Sequence, residues 1–549
     1  MSTPVTSPDV TVVVAVYNTM PYLTECLSSL VGQSIGRDRL EIVAVDDGST
    51  DDSGAELDRF AQQYPDTVKV IHQTNSGGPA APSNRALEVA TGRYVYFIGS
   101  DDYLGEEALE RMVACADKND SDVVVGKMVG TNGRYVHQAL YKESVSDVDL
   151  FDSALPFTLA NTKLFRRALV ERHKLRFPED MPVGSDQPFT IEACVRARKI
   201  SVLADYTYYY AVKRGDSSNI TYRADHLARL RCTARIMHHA AELIEAGPNR
   251  DTLFKRHFTW ELAKLVQGDF LALDGRTQRQ VCSGIAELAG KYLTDPLRDA
   301  LPVQRRVRLT LAHKGAVDEL VRAIEAEEPG GSLLFLLEGD QAASGRAFAH
   351  YPGFREPLLN IPDRVFEVLD ESVAAQLAAG TELIESAWVQ RGDDLALQIA
   401  VRTAFSGNTS AAVIRLLPGN FPKGSDQAGG RRLPFGREVP PLVGEFTREE
   451  SDTGTVIRAT IPVEPRSASL AVRVHAEVAG AVYEIPVPAR DKPMPLARRW
   501  RSTTPYRVAA RVNNKGRMIV VTGPLFPPPS RLWPRVRSRL ARMKRKTTR

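Results

Sequence analysis

Arg93–Leu104 reads RYVYFIGSDDYL, and the break inside it decides the fold. The β-forming run Tyr94 to Ile98 stops at Gly99, and two adjacent carboxylates, Asp101 and Asp102, follow in a loop. An apolar run this short, closed by Gly and Asp, reads as a strand buried on both faces of a parallel sheet. In an open α/β sheet the ligand crevice lies beyond the carboxyl ends of the strands, so both acids are expected to face a bound molecule. Two unpartnered acids there suit a hard divalent cation held together with substrate phosphates. The same residues are also ordinary turn chemistry.

Outward from that stretch, strand and helix alternate. Val10 to Tyr17 is a buried-strand run, and Pro21 opens a helix whose inner face is Tyr22, Leu23, Cys26, Leu27 and Leu30. Leu40 to Val45 is the next strand, ending in Asp46-Asp47-Gly48-Ser49-Thr50-Asp51, with a helix from there to about Tyr64. A strand at Val68 to His72, the loop Thr74 to Pro79, a helix at Ser83 to Ala90, a helix at Glu106 to Lys118 and a strand at Asp122 to Val125 complete the pattern. This alternation predicts a mostly parallel, doubly wound, Rossmann-like α/β sheet. Ser49 and Asp52 suffice to cap the helix after the second strand. Capping leaves Asp47 unexplained; a carboxylate there can accept the imide N–H of a pyrimidine, and Tyr17 can stack on the same base.

Three elements together, VVVAVYN at 12–18, VDDGSTDDS at 45–53 and FIGSDDYL at 97–104, resemble the family 2 glycosyltransferases, whose nucleotide-binding half has the GT-A fold. The resemblance implies a nucleotide-diphosphate sugar donor, Tyr17 and Asp47 at its base, Asp101 at the ribose, and Asp101 with Asp102 at a Mn²⁺ or Mg²⁺ ion. Two departures stand out. Where many members carry Asp-x-Asp-Asp, this chain has Gly99-Ser100-Asp101-Asp102, and the family's Arg-Asn pair is here Ser83-Asn84 followed by Arg85. Asn84 and Arg85 are carried over as donor-binding residues on that basis. At Gly184-Ser185-Asp186-Gln187 the chain resembles the family's Glu-Asp pair with Ser in place of the Glu, which implies Asp186 as the catalytic base of an inverting transfer. Asp186 is equally a helix cap for the segment Phe189 to Ala197. In the loop Lys213 to Thr221, Arg214 and Ser218 are expected to close over the donor diphosphate; a solvated charged loop explains the same residues.

From Asp225 to about Glu327 helical spacing dominates without a motif, and beyond Gly330 the apolar period becomes two, as in Leu395, Leu397, Ile399 and Val401. Hairpin signals at Ala479-Gly480 and Asn513 to Gly516 fit antiparallel β-sandwich modules. The expected domains are a leader at 1–9, a GT-A domain at 10–222, a helical linker at 223–330, β-sandwich modules at 331–525, and a Pro spacer with a basic tail at 526–549. This layout resembles the bacterial transferases that decorate poly(ribitol phosphate) wall teichoic acid with N-acetylglucosamine. It implies a homo-oligomer and an anionic cell-wall polymer or lipid-linked acceptor. An exopolysaccharide or capsule transferase and a non-catalytic polymer-binding scaffold are the alternatives.

Charge narrows the partners. The chain of 549 residues has a net charge of +4, yet nine cations and no acid lie between Arg531 and Arg549, so the remainder carries five more acids than bases. That argues against a body that binds nucleic acid and for one local anionic contact. Trp533, Val536, Leu540 and Met543 at helical spacing suit an anionic membrane surface. Five scattered cysteines without a C-x-x-C pair, and no apolar run long enough to span a bilayer, lead to an expected cytoplasmic location, peripheral at the inner face of the membrane.

Overall fold

The computed structural model describes residues 7–214, 225–327 and, with breaks, 335–526. Ser218, the turn residues Ala479-Gly480 and Asn514-Lys515, the Pro spacer at 527–529, the tail and most of the leader lie outside the described residues. The chain divides into two compact units, Met1–Leu320 and Val321–Arg549.

In the first unit the apolar runs form β1 (Val10–Val16), β2 (Leu40–Asp46), β3 (Val68–His72) and β4 (Tyr94–Gly99). Between them come α1 (Tyr22–Val31), α2 (Ser53–Gln63) and α3 (Ala80–Val89). Next follow β5 (Tyr103–Leu104), α4 (Ala108–Asn119), β6 (Val123–Gly126), β7 (Met128–Thr131), β8 (Leu164–Arg166), α5 (Arg167–Arg172), α6 (Asp186–Arg196), β9 (Ile200–Leu203) and β10 (Tyr209–Val212). The main sheet has the order β3-β2-β1-β4-β8-β6-β9, parallel throughout except for β8, and a small sheet has the order β5-β10-β7.

Both faces of the main sheet are covered, as continuous apolar strands require. Val10, Val12, Val14, Tyr94, Tyr96 and Ile98 pack toward α1 and α4. Their neighbours Val13, Val43, Val95, Phe97 and Phe165 pack toward α3 and α6. On that second face Phe177 stacks on Phe189 with ring centroids 4.4 Å apart, and Phe97 meets both rings edge-on. Burial of these rings is the main fastening between β4 and α6.

Helices fill 226–313, beginning with His226–Leu243, which Asp225 caps by accepting from the Ala228 amide at 2.7 Å. Pro248–Arg256 runs directly into a π-helical turn, His257–Leu262. The second unit is built of antiparallel strands in three sheets, including Thr381–Arg391, Asp394–Thr403 and Ala468–Val478. Among the described residues no helix is long and apolar enough to cross a membrane. All five cysteines are unpaired, and four are buried.

Candidate active site

The functional side chains gather at the edge where the parallel strands end. Beyond β1 the half-exposed Tyr17 is followed by Asn18, whose φ of 48° turns the chain back across the second loop. Asn18 Oδ1 accepts the Thr50 amide at 2.7 Å, the Asn18 amide donates to Ser49 Oγ at 3.1 Å, and the Thr19 amide donates to Ser53 Oγ at 2.9 Å. The Ser and Thr content of this loop is therefore spent on tying β1 to β2. Asp52 makes no capping bond and Ser49 is taken by Asn18; the first amide of α2, that of Ser53, donates instead to Asp51 Oδ1 at 3.0 Å. Gly48 has φ 74°, and a Cβ there would stand 2.8 Å from the Asn75 amide, so only glycine lets the loops close.

The two acids of that loop have different surroundings. Asp46 accepts the Ser49 amide at 2.9 Å and pairs with His72 Nδ1 at 2.9 Å. Burial raises its pKa, but the bonds from Ser49 and His72 outweigh it, and the net shift is downward. Asp47 is 2% exposed; its carboxylate accepts Gln73 Nε2 at 2.6 Å, Ser76 Oγ at 2.9 Å and the Ser76 amide at 3.0 Å. Its oxygens thus fix the 73–78 loop.

At the end of β4 the acids split again. Asp101 takes Arg214 Nε at 2.6 Å, with both side chains about one-seventh exposed. Asp102 is buried, and accepts Tyr209 Oη at 2.6 Å, the Val212 amide at 2.7 Å and Arg134 Nη1 at 3.3 Å. Burial and the neighbouring Asp101 raise its pKa to about 6. Asp102 therefore fastens β4 to β10, and Asp101, held by Arg214, is the more exposed of the two acids. Gly99 has a steric reason: a Cβ there would come within 3.0 Å of Asp101 Oδ1 and of Asp102 Oδ2. A side chain at that position would have to displace one or both of these carboxylates.

Asn84 and Arg85 are not brought to this cluster by any hydrogen bond. The Asn84 amide accepts the Phe177 amide and donates to the Phe177 carbonyl, both at 2.8 Å, and to Glu179 at 2.9 Å. It clamps α3 to the segment that leads into α6. Arg85 pairs with Glu88 on the outer face of α3.

Asp186 opens α6, and topology fixes where that is. Helix α6 feeds β9, which is parallel to β6; β6 and β4 are each antiparallel to β8, so β9 runs parallel to β4. A helix leading into such a strand must cross the sheet backwards, so it starts at the edge where β4 ends. Phe189, one turn into α6, lies 5.4 Å from Phe97 of β4. The 181–184 loop also reaches the 73–78 loop, where a Cβ on Gly78 would lie 3.9 Å from the Met181 carbonyl. Asp186 and the donor-side loops consequently share one edge. Burial raises the Asp186 pKa, with Arg256 and Lys163 opposing that rise. Among the described residues its carboxylate accepts no hydrogen bond from another residue.

Several contributors carry no mark in the sequence. Arg134 and Tyr209 hold Asp102; Lys163 and Arg256 lie beside Asp186. Lys163 is 1% exposed, and Arg256 donates to Gln187 Oε1 at 2.8 Å and pairs with Glu261 at 2.9 Å. Each comes from a different element, so no linear spacing announces it.

A divalent cation fits this set in one way only. Among the described residues no three His, Cys, Asp or Glu side chains form a metal site. Asp102 is saturated by protein donors, which leaves Asp101 as one hard oxygen ligand. That suits Mg²⁺ or Mn²⁺ taking its other ligands from a diphosphate and water.

Comparison with known proteins agrees with the geometry. Residues 11–178 match the glycosyl transferase family 2 model, and residues 230–324 match the glycosyl transferase TarS linker domain. Over 214 residues the chain is 44% identical to the poly(ribitol-phosphate) beta-glucosyltransferase of Bacillus spizizenii strain W23, covering 39% of this chain and 34% of that protein. S. aureus TarS shares the fold, with a TM-score of 0.61 at 22% identity over 94% of this chain and 86% of that one. S. aureus TarS 1–349 in complex with UDP-GlcNAc matches at 29% identity and a TM-score of 0.55, covering 63% of this chain and 97% of that one. The chain matches about a third of the length of its first curated relatives. The chain therefore carries a family 2 glycosyltransferase domain at residues 11–178, followed by a linker domain of the TarS kind at residues 230–324.

Proposed function

We propose that this protein is an inverting glycosyltransferase that moves a sugar from a UDP-sugar to a hydroxyl of a poly(ribitol phosphate)-type cell-wall polymer. The observation that carries the reading is the meeting, at one sheet edge, of the Asp101–Arg214 pair and the unbonded carboxylate of Asp186. Tyr17 is exposed enough to stack on the uracil ring. Asp47 contributes to the base by holding the 73–78 loop, and meets the uracil N–H only where that loop yields an oxygen. Asp101 would hold a divalent cation, which would supply positive charge to the departing diphosphate. Arg214 adds a guanidinium fork at the same phosphates.

In the transfer, Asp186 takes the proton from the acceptor hydroxyl as its oxygen attacks the anomeric carbon opposite the leaving UDP. One displacement inverts the centre, so no covalent enzyme intermediate is needed. The Bacillus relative is named a beta-glucosyltransferase, and a β product made from an α-linked nucleotide sugar would agree with this. The upward shift of the Asp186 pKa makes it a stronger base than a solvated aspartate. The two sugars named among the relatives, glucose and N-acetylglucosamine, make both UDP-sugars the first donors to try. We further read the protein as cytoplasmic and homo-oligomeric, with the basic tail at an anionic membrane surface or on the polymer itself.

The test is UDP release from each donor with poly(ribitol phosphate) or lipid-linked sugar as acceptor, for the wild type and Asp186→Asn. The variant is expected to lose roughly 10²- to 10⁴-fold in turnover with little change in donor affinity. An equally active variant removes Asp186 as the base.

A further inference from the structure

Four ionisable side chains from three elements meet behind the start of α6: Asp186, Lys163, Arg256 and Glu261. Two of them satisfy each other. Arg256 pairs with Glu261 at 2.9 Å and also donates to a neutral amide, Gln187 Oε1 at 2.8 Å. That leaves one cation and one anion. Lys163 is 1% exposed and donates to two neutral carbonyls, Thr158 O at 2.6 Å and Ala160 O. An ammonium carries three donors, so one hydrogen of Lys163 remains beyond those two bonds. It meets no carboxylate at hydrogen-bond distance. Asp186 is the anion without a partner.

The fold brings this cation to the base. Lys163 immediately precedes β8, whose first residue, Leu164, pairs with Tyr96 of β4. Since β8 is antiparallel to β4, its start lies toward the edge where β4 ends. Phe165 of β8 also meets Phe189 of α6 at 5.3 Å, which holds the two elements together. A buried lysine with only carbonyl partners is costly unless an opposite charge is near. The charges that face Asp186 are Arg256 and Lys163 as cations and Glu261 as an anion. Arg256 acts on Asp186 more strongly than Lys163 does, and the opposing effect of Glu261 is the smallest of the three. Arg256, however, is already paired with Glu261 at 2.9 Å, whereas Lys163 has no carboxylate of its own among the described residues.

We propose that Lys163 is a positioning residue for the transfer: its buried ammonium is a second counter-charge which, with Arg256, keeps Asp186 ionised and ready to accept the acceptor's proton. The proposal rests on Asp186 being the base. It assigns a task to a side chain that touches neither donor nor acceptor. Burial lowers the Lys163 pKa to about 8, so the ammonium persists through neutral pH.

The experiment titrates both members of the pair. Carbon-13 NMR of the labelled Asp186 carboxyl is followed in wild type, Lys163→Gln and Lys163→Arg, with Asp186→Asn to assign the signal. The carboxyl pKa is expected to rise by about one unit in Lys163→Gln and to stay near wild type in Lys163→Arg. In the transfer assay the acidic limb of kcat/KM should move up by the same about one unit, so Lys163→Gln loses more activity on the acidic side of the profile than on its plateau. Should Lys163→Gln not fold, the reciprocal measurement decides: the Lys163 ammonium should titrate lower in Asp186→Asn than in wild type. Unchanged pKa values in both directions overturn the proposal. A wild type that transfers no sugar sinks the functional reading alone, because the NMR titrations need no turnover.

Discussion

Asp102 shows how a residue that reads as a ligand becomes a fastener. Its carboxylate is pinned by Tyr209, Val212 and Arg134, and its pKa rises from 3.8 to about 6 through burial and the nearby Asp101. Between about pH 4 and pH 6 the folded protein binds a proton that the unfolded chain has released. Stability from this group therefore falls as pH rises through that window, by up to ~1.4 kcal/mol per unit, and is flat above it. Asp46 and Asp122, whose pKa values are lowered, act in the opposite sense and lose stability as pH falls. The difference in urea midpoint between wild type and Asp102→Asn isolates the Asp102 contribution. That difference should drift between pH 4 and 6 and hold steady from 6 to 8; a constant difference throughout would refute the assignment.

At the scale of elements, the aromatic stack under the sheet links the end of β4 to the start of α6. Phe97 lies two residues before Gly99, Phe189 three residues after Asp186, and Phe177 packs against both rings. Phe177 is 4% exposed, so Phe177→Ala leaves a cavity and is expected to cost about 3–5 kcal/mol in chemical denaturation. Because α6 then loses its seat while Tyr17 and Asp47 keep theirs, turnover should fall more than UDP affinity does. Calorimetric UDP binding and single-turnover rates on the same preparation separate the two. Equal losses would mean that the stack stabilises the domain without orienting Asp186.

On the scale of the molecule, the chain forms two compact units that divide after Leu320. Every site residue lies in the first unit, and that unit closes its own core through helices such as Gly275–Tyr292 and Val303–His313. A fragment of residues 1–327 is expected to unfold cooperatively and to gain thermal stability with UDP. Absence of a cooperative transition, followed by circular dichroism, would show that the second unit is needed for the first to fold. None of the candidate site residues comes from the second unit.

The sequence by itself determined the parallel sheet, because continuous runs such as Val10 to Val16 and Tyr94 to Ile98 can be satisfied only by burial on both faces. It also determined that acids stand at strand ends, since strand breaks are written locally in Gly, Asp and Asn. It could not say which acid stays the more exposed. Packing alone settles that Asp101 pairs with Arg214 and keeps some exposure while Asp102 and Asp47 are buried among protein donors, and that Asn84 turns inward to the backbone at Phe177. The same holds for Arg134, Lys163 and Arg256, which reach the site from elements far apart along the chain. Their roles depend on burial and charge pairing, and these are set by which elements pack together, a property that no local pattern records.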